Sequence, residues 1–203
     1  IDFDLLYALN SSKIYNTAWL WTNLTYTPTQ MGSDYEGNNY AVYNGTGGVP
    51  PASDWADYDP EDPSGMIPNG NIKVGQGFIV QLKLAGAVDF KNNMRITDGG
   101  TFYQKGETKN RFWLTMRSPK NKVNTILIGY IPGATNAYET DFDGELFVVG
   151  SDSFYTVSGA KKLAIQGRDS NFTNADVVPL TNVFSEAGTY TIGLHTPEGI
   201  FNG

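Results

Sequence analysis

The sequence has no cysteine and a single histidine, His195. A disulfide framework, a Cys-ligated metal centre and a thiol nucleophile are therefore excluded. One histidine leaves no two-histidine metal motif, and the chain contains no Gly-x-Ser-x-Gly segment that would make His195 the base of a serine hydrolase. We therefore interpret His195 as a residue without a catalytic role.

Basic residues and long apolar runs are scarce as well. Lys and Arg number 14 against 21 Asp and Glu, a formal net charge of −7, and the longest basic run is Lys161-Lys162. Because nucleic-acid binding requires a basic face, this balance excludes a nucleic-acid partner. No apolar run approaches the roughly 18 residues of a membrane-spanning helix. The chain opens at Ile1 without Met, a basic region or an apolar core of a signal peptide, so we expect it to be a segment of a longer protein.

What the chain does have is typical of a β protein rich in turns. It contains 23 Gly and 10 Pro, and 13% of its residues are aromatic. Short apolar runs bounded by Gly, Pro and Asn recur along it. We predict an all-β fold, an antiparallel β-sandwich of jelly-roll or immunoglobulin-like type, built as one sandwich or as two abutting ones. One short N-terminal helix is predicted from the spacing of Ile1, Leu5, Leu6 and Leu9, with Asp2 or Asp4 at its start.

Two hairpins and a domain boundary follow from the order of these runs. Arg111–Arg117 is expected to pair with Asn124–Tyr130, and Gly77–Leu84 is expected to turn at Gly86 and pair with Ala87–Phe90. Residues 49–71 predict a long acidic loop, of the kind that is often functional. We predict an N-terminal β-rich subdomain over 1–105, which holds this loop, and a C-terminal β-sandwich subdomain over 106–203.

The acidic segment Glu139–Glu145 is the feature most typical of a site. Its carboxylates, on Glu139, Asp141, Asp143 and Glu145, alternate as they would on one face of a strand, and an Asp-x-Asp-Gly turn can offer oxygen ligands to Ca²⁺. The predicted cofactor is therefore either none or calcium at these four residues. The segment lacks the rest of an EF-hand loop, so a solvated acidic turn is the alternative. A hydrolase that uses carboxylates around Asp141 and Asp143 is a further alternative.

Aromatic residues suggest a second kind of site. Trp55 and Tyr58 lie in the acidic loop, where exposed rings could stack on the C–H faces of sugars. Strand alternation places Trp19 and Trp21 on one face, and we expect both to belong to the core. The sequence therefore predicts a ligand-binding pair at Trp55 and Tyr58 and no catalytic residues.

Seven phrases of the sequence, taken together, carry a resemblance to one group of proteins. They are Tyr43–Gly48, Ile72–Val80, Phe90–Arg95, Asn110–Leu114, Ile128–Asn136, Lys162–Arg168 and Val178–Leu180. With them the chain resembles the C-terminal region of large secreted or cell-surface proteins of Bacteroidota, the substrates of type IX secretion. The similarity covers most of the chain and is least characteristic over Leu5–Gln30 and Pro51–Gly70.

This resemblance implies a location and a role more than a chemistry. It implies an extracellular or cell-surface protein, associated with the outer membrane, whose partner during export is the type IX secretion machinery. It also implies adhesin-like or structural modules with surface glycans or other cell-surface proteins as partners, and it supplies no catalytic residue. We therefore expect a non-catalytic β module, with a carbohydrate-binding module and a secreted hydrolase fragment as the alternatives.

Overall fold

A computed structural model of the chain describes residues 1–21, 40–54, 67–96 and 109–202. The chain begins with one helix, α1 (Phe3–Asn10), and the carboxylate of Asp2 accepts a hydrogen bond from the backbone N–H of Leu5 (3.1 Å). That bond satisfies one of the free N–H groups of the first turn, which explains why the helix starts here. Phe3 and Leu6 lie on its buried face. The predicted short N-terminal helix is confirmed.

The first sheet is formed by the N-terminal part of the chain. Its strands are β1 (Ile14–Trp21), β2 (Tyr40–Asn44), β3 (Gly47–Val49) and β5 (Phe78–Leu82), with β4 (Ser53–Asp54) joining the other sheet. The order is β3-β2-β1-β5 and every pair is antiparallel. Within β1, Trp19 lies opposite Val42 on one side and Ile79 on the other.

The second sheet contains the remaining strands. They are β6 (Asn110–Arg117), β7 (Lys122–Ile131), β8 (Gly144–Glu145), β9 (Phe154–Ser158), β10 (Lys161–Asp169), β11 (Leu180–Asn182) and β12 (Thr191–Glu198). The main order is β11-β9-β10-β7-β6-β12, with β8 paired to β10 and β4 to β7. The predicted hairpin is confirmed as β6–β7, with Leu114 opposite Ile126. Two short 3₁₀ helices, Asn92–Met94 and Gly199–Phe201, complete the described elements.

One pair in the second sheet runs parallel. Ile165 of β10 lies opposite Leu127 of β7, and the connection between the two strands carries β8 and β9. A parallel pair needs a long crossover, which residues 132–160 supply. The fold is therefore the expected all-β, sandwich-like one with a short N-terminal helix, and the other strand pairs among the described residues are antiparallel.

Apolar side chains from both halves of the chain share one core. Trp19, Val42 and Val49 pack with Trp113 and with further side chains of β7 and β10. A second cluster lies beneath α1, and a third lies around Ile126 and Ile128. The domain boundary predicted at 105–106 falls outside the described residues. Ser53 of the first half pairs with Val123 of the second.

Two local expectations differ from the structure. Residues Ala87–Phe90 form no strand, and the hairpin predicted at Gly86 is wrong. Asp89 binds the N-terminal part of the chain instead: its N–H donates to Asn10 Oδ1 (2.9 Å) and its carboxylate accepts from Lys13 Nζ (2.6 Å). The stretch predicted as a loop over 49–71 begins with the end of β3 and with β4. In the described part of the chain, no helix has the length and apolar character needed to cross a membrane.

Candidate functional site

The acidic segment, Glu139–Glu145, runs between the two sheets and is bound to the first sheet through its backbone. Carbonyl groups of the segment accept hydrogen bonds from five side chains of β1 and of the β2–β3 turn: Asn16, Thr17, Trp19, Asn44 and Thr46. The indole Nε1 of Trp19, for example, donates to the carbonyl of Glu145 (2.8 Å). These bonds satisfy backbone groups that would otherwise be buried without partners.

The carboxylate of Asp143 binds the other side of the segment to the second sheet. Its Oδ2 accepts from the N–H of Glu139 (2.7 Å) and its Oδ1 accepts from the N–H of Gly167 in β10 (2.8 Å). Asp143 is only 2% exposed. Burial raises the pKa of this carboxyl to about 6, although the two N–H donors oppose the shift. The residue predicted as a calcium ligand is therefore a buried acceptor for backbone groups.

Two glycines let the segment lie this close to the core. A Cβ on Gly167 would lie 2.5 Å from the Cβ of Phe142, and one on Gly144 would lie 3.2 Å from side-chain carbons of both Val42 and Ile165. Contacts at 2.5 Å require the neighbouring backbone to move. The sequence carries glycine at both positions because the segment and β10 pack almost directly on each other.

Asp141 lies on the outer side of the segment, in contrast to Asp143. Its side chain is 56% exposed, and its Oδ1 accepts from the Tyr7 hydroxyl (2.6 Å) with Lys83 Nζ at 3.9 Å. Burial and this hydrogen bond raise the pKa of Tyr7. The contact therefore links α1 to the segment at the surface.

The two glutamates of the segment also accept from donors within the chain. Glu139 Oε2 accepts from the N–H of Thr135 (2.6 Å), and Glu145 Oε1 accepts from the Tyr138 hydroxyl (2.6 Å) and from Lys161 Nζ (2.8 Å). Among the residues that the structure describes, no group of three or more His, Asp or Glu is placed to hold a metal ion. Calcium binding at Glu139, Asp141, Asp143 and Glu145 stays a prediction.

The predicted aromatic site lies outside the described residues. Trp55 and Tyr58 belong to the undescribed stretch 55–66, so their role as ligand-binding residues stays a prediction. Trp19 is a core residue as expected, at 5% exposure, whereas Trp21 is 40% exposed at the end of β1. The core position expected for Trp21 is therefore wrong.

A cluster of polar residues near the N-terminal end of α1 was not predicted from the sequence. The Tyr43 hydroxyl donates to Asp4 Oδ2 (3.0 Å), and burial raises the pKa of Asp4. Nearby, Lys109 Nζ donates to the carbonyl of Gly45 (2.5 Å), and burial lowers the pKa of this amine. The cluster joins α1, β2 and the start of β6, and no sequence motif brings these residues together.

A shallow groove, which the sequence also did not reveal, lies between β1, β5 and the start of the acidic segment. It has a volume of about 210 Å³, which includes space open to solvent. The residues that line it are Tyr15, Thr17, Trp19, Gln81, Tyr138, Thr140, Asp143 and Glu145. Tyr15, Thr17 and Trp19 alternate along β1 and so share a face. That alternation is a sequence signal for one wall of the groove, but it does not indicate the residues of the other walls.

Comparison with known proteins assigns the chain to a family. No curated protein and no solved structure matches it. A family model described as "Domain of unknown function (DUF8693)" matches residues 1–203. This match spans both sheets, the acidic segment and the groove, so the chain belongs to the DUF8693 family.

Proposed function

We propose that this chain is a non-catalytic β module of a large secreted or cell-surface protein, exported by type IX secretion, with an adhesive or structural role. The observation that carries the proposal is the use of the acidic segment. Its carboxylates accept hydrogen bonds from groups within the chain, and its backbone carbonyls accept from the first sheet. These contacts favour a role in holding the two sheets together.

A catalytic role for the same carboxylates has less support. A raised pKa, such as the value of about 6 for Asp143, is typical of general acids. A general acid must reach the substrate, however, and Asp143 is 2% exposed with both oxygens bound to backbone N–H groups. Asp141 is exposed but is paired with Tyr7. Catalysis by Asp143 would therefore need the segment to leave the core, and catalysis by Asp141 would need its contact with Tyr7 to break.

The location outside the cell is supported by the resemblance. The seven phrases of the sequence resemble those of type IX secretion substrates. In the structure several of these phrases form the strands and turns around the acidic segment, such as Tyr43–Gly48 and Lys162–Arg168. A rigid module of this kind suits a spacer or display unit on a surface.

Localisation in the source organism tests the proposal. Antibodies against the chain should label intact cells or detect the chain in the medium, and protease added outside should remove the cell-bound signal. Inactivating the type IX machinery should abolish both signals, with a protein of another export route as control. A chain retained inside wild-type cells would contradict the proposal.

A separate assay addresses catalysis. The purified chain should release no reducing ends from polysaccharides, and the Asp141→Asn, Asp143→Asn double variant should behave in the same way. Release that is lost in the double variant would establish the hydrolase alternative. Retention of Trp55→Ala by a polysaccharide that also retains the wild type would remove Trp55 from the carbohydrate-binding alternative.

A further inference from the structure

The groove between β1, β5 and the acidic segment holds polar side chains that the fold does not use. Within the described part of the chain, the Tyr15 hydroxyl, the Gln81 amide and the Thr140 hydroxyl have no hydrogen-bond partner. Gln81 is exposed and the other two are half-buried. Together they present hydroxyl and amide groups, each of which can both donate and accept. These three side chains are therefore available to a ligand.

The remaining groups of the groove are fixed. Tyr138 donates to Glu145 Oε1 (2.6 Å), and Lys161 Nζ donates to the same oxygen while lying 4.9 Å from the centre of the Tyr138 ring. On the other wall, Lys83 Nζ lies 5.6 Å from the centre of the Tyr15 ring. Contacts of this kind orient both phenol rings before any ligand arrives, which lowers the entropic cost of binding.

The electrostatics of the groove favour a neutral ligand. Lys161 pairs with Glu145, and burial together with the hydrogen bond to Glu145 raises the pKa of Tyr138, so that its phenol stays neutral. A phosphate or another anion would meet Glu145 and a chain of net charge −7. An uncharged ligand with several hydroxyl groups can form hydrogen bonds with the amide and hydroxyl side chains, and its C–H faces can pack on the phenol rings.

We propose that this groove binds one sugar ring of a neutral glycan. This inference rests on the proposed function, because it supplies the contact by which a surface module would adhere. The groove is small and open to solvent, so the ligand would lie against it as a single ring rather than be enclosed by it. A ligand of about 12 non-hydrogen atoms at ordinary ligand efficiency binds with a Kd of about 1 mM. Affinity of that order is useful when many copies of a module face one surface.

The test uses the chain 1–203 and a fixed set of neutral probes. These are oligosaccharides of glucose, galactose, mannose, xylose and N-acetylglucosamine, with inorganic phosphate and glucuronic acid as charged comparisons. Binding is measured by saturation-transfer NMR and then by amide chemical-shift titration. We expect at least one neutral probe to bind at about millimolar Kd and to shift amides of β1, β5 and the 138–140 stretch.

The double variant Gln81→Ala, Thr140→Val removes two side-chain groups that form no hydrogen bond with the residues that the structure describes. We expect it to keep the melting temperature and to weaken binding about tenfold. Thr191→Val, on an exposed edge strand in the other sheet, is the matched control and should leave binding unchanged. Absence of binding to every neutral probe would overturn the proposal, as would binding that the double variant leaves intact or a preference for the charged probes.

The outcome separates this inference from the proposed function. A chain found at the cell surface that binds no sugar would contradict the sugar-binding groove and support the proposed surface module. Sugar binding by a chain that remains inside the cell would support the sugar-binding groove and contradict the proposed export.

Discussion

The Asp143 carboxylate and the side chains of Gln81 and Thr140 in the groove differ in how their polar groups are used. Both carboxylate oxygens of Asp143 accept hydrogen bonds from backbone N–H groups, and the residue is buried. In the groove, Gln81 and Thr140 have no partner within the described residues. Polar groups buried inside a protein must be paired, whereas groups at a surface can be left for a ligand. The difference teaches that the same segment combines a paired, structural carboxylate with polar groups that are left open to a ligand.

Among the changes considered, removal of the Asp143 carboxylate should lower the free energy of unfolding the most. Asp143→Ala leaves the N–H groups of Glu139 and Gly167 without acceptors, and we expect it to lower the free energy of unfolding by about 3 kcal/mol. The measurement is urea unfolding at pH 5, where the folded-state carboxyl is mainly protonated and its burial carries little charge cost. Asp141→Ala, two residues away and exposed, is the control and should cost less than about 1 kcal/mol. Equal losses of unfolding free energy in the two variants would contradict the assignment of Asp143 as a buried, structural carboxylate and Asp141 as an exposed one.

The pH dependence of stability sharpens the same point. The pKa of Asp143 is raised to about 6 in the fold, by burial first and also by the charge of Glu139, with Arg168 acting in the opposite direction. The folded chain therefore keeps a proton that the unfolded chain releases, so the contribution to stability is complete below about pH 3.8. It is lost as the pH rises through 6, up to about 3 kcal/mol.

Asp143→Asn isolates this contribution from all other titrating groups. The difference in unfolding free energy between the wild type and Asp143→Asn should change in favour of the variant between pH 4 and pH 7. A difference that stays constant over that range would mean that the carboxyl is not buried in solution.

Close packing behind the segment gives a smaller expected effect. Gly167→Ala places a Cβ 2.5 Å from Phe142, and we expect a loss of about 2 kcal/mol in thermal or urea unfolding. Gly86→Ala adds the same methyl group where nothing lies within 4 Å and should cost nothing measurable. If both variants unfold like the wild type, the segment does not pack on β10.

Calcium should have the smallest effect of all. Each carboxylate of the segment already accepts hydrogen bonds from the chain, so we expect the same melting temperature in excess EGTA and in 1 mM Ca²⁺. A native-state site of micromolar affinity would instead add about 4 kcal/mol at that concentration. A rise of several degrees in calcium would favour the ion site that the sequence predicts.

Local patterns were enough to predict part of this fold. The apolar spacing and the cap at Asp2 predicted α1, although Leu5 and Leu9 are exposed and the buried face carries Phe3 with Leu6. The apolar runs Arg111–Arg117 and Asn124–Tyr130 predicted the β6–β7 hairpin. Both features depend on neighbours in the sequence. The parallel pairing of β7 with β10 depends on residues about 38 positions apart, and alternation within a strand does not indicate which strand lies beside it.

The site was less predictable for the same reason. Alternating carboxylates indicated a site in the acidic segment, but the sequence could not show that Asp143 turns inward to Gly167 while Asp141 stays outside. The hairpin predicted at Gly86 failed because Asp89 binds Asn10, a contact between distant parts of the chain. The groove combines side chains from β1, β5 and residues 138–145, three stretches that no motif connects.

Amide hydrogen exchange at Glu139 tests the central claim most directly. The N–H of Glu139 is held by the Asp143 carboxylate, so its protection reports whether this side of the segment belongs to the folded core. We expect it to exchange as slowly as amides of β7 in the wild type and rapidly in Asp143→Ala, with the exposed amide of Asn171 fast in both. Exchange of the wild-type Glu139 amide at the rate of Asn171 would contradict the account.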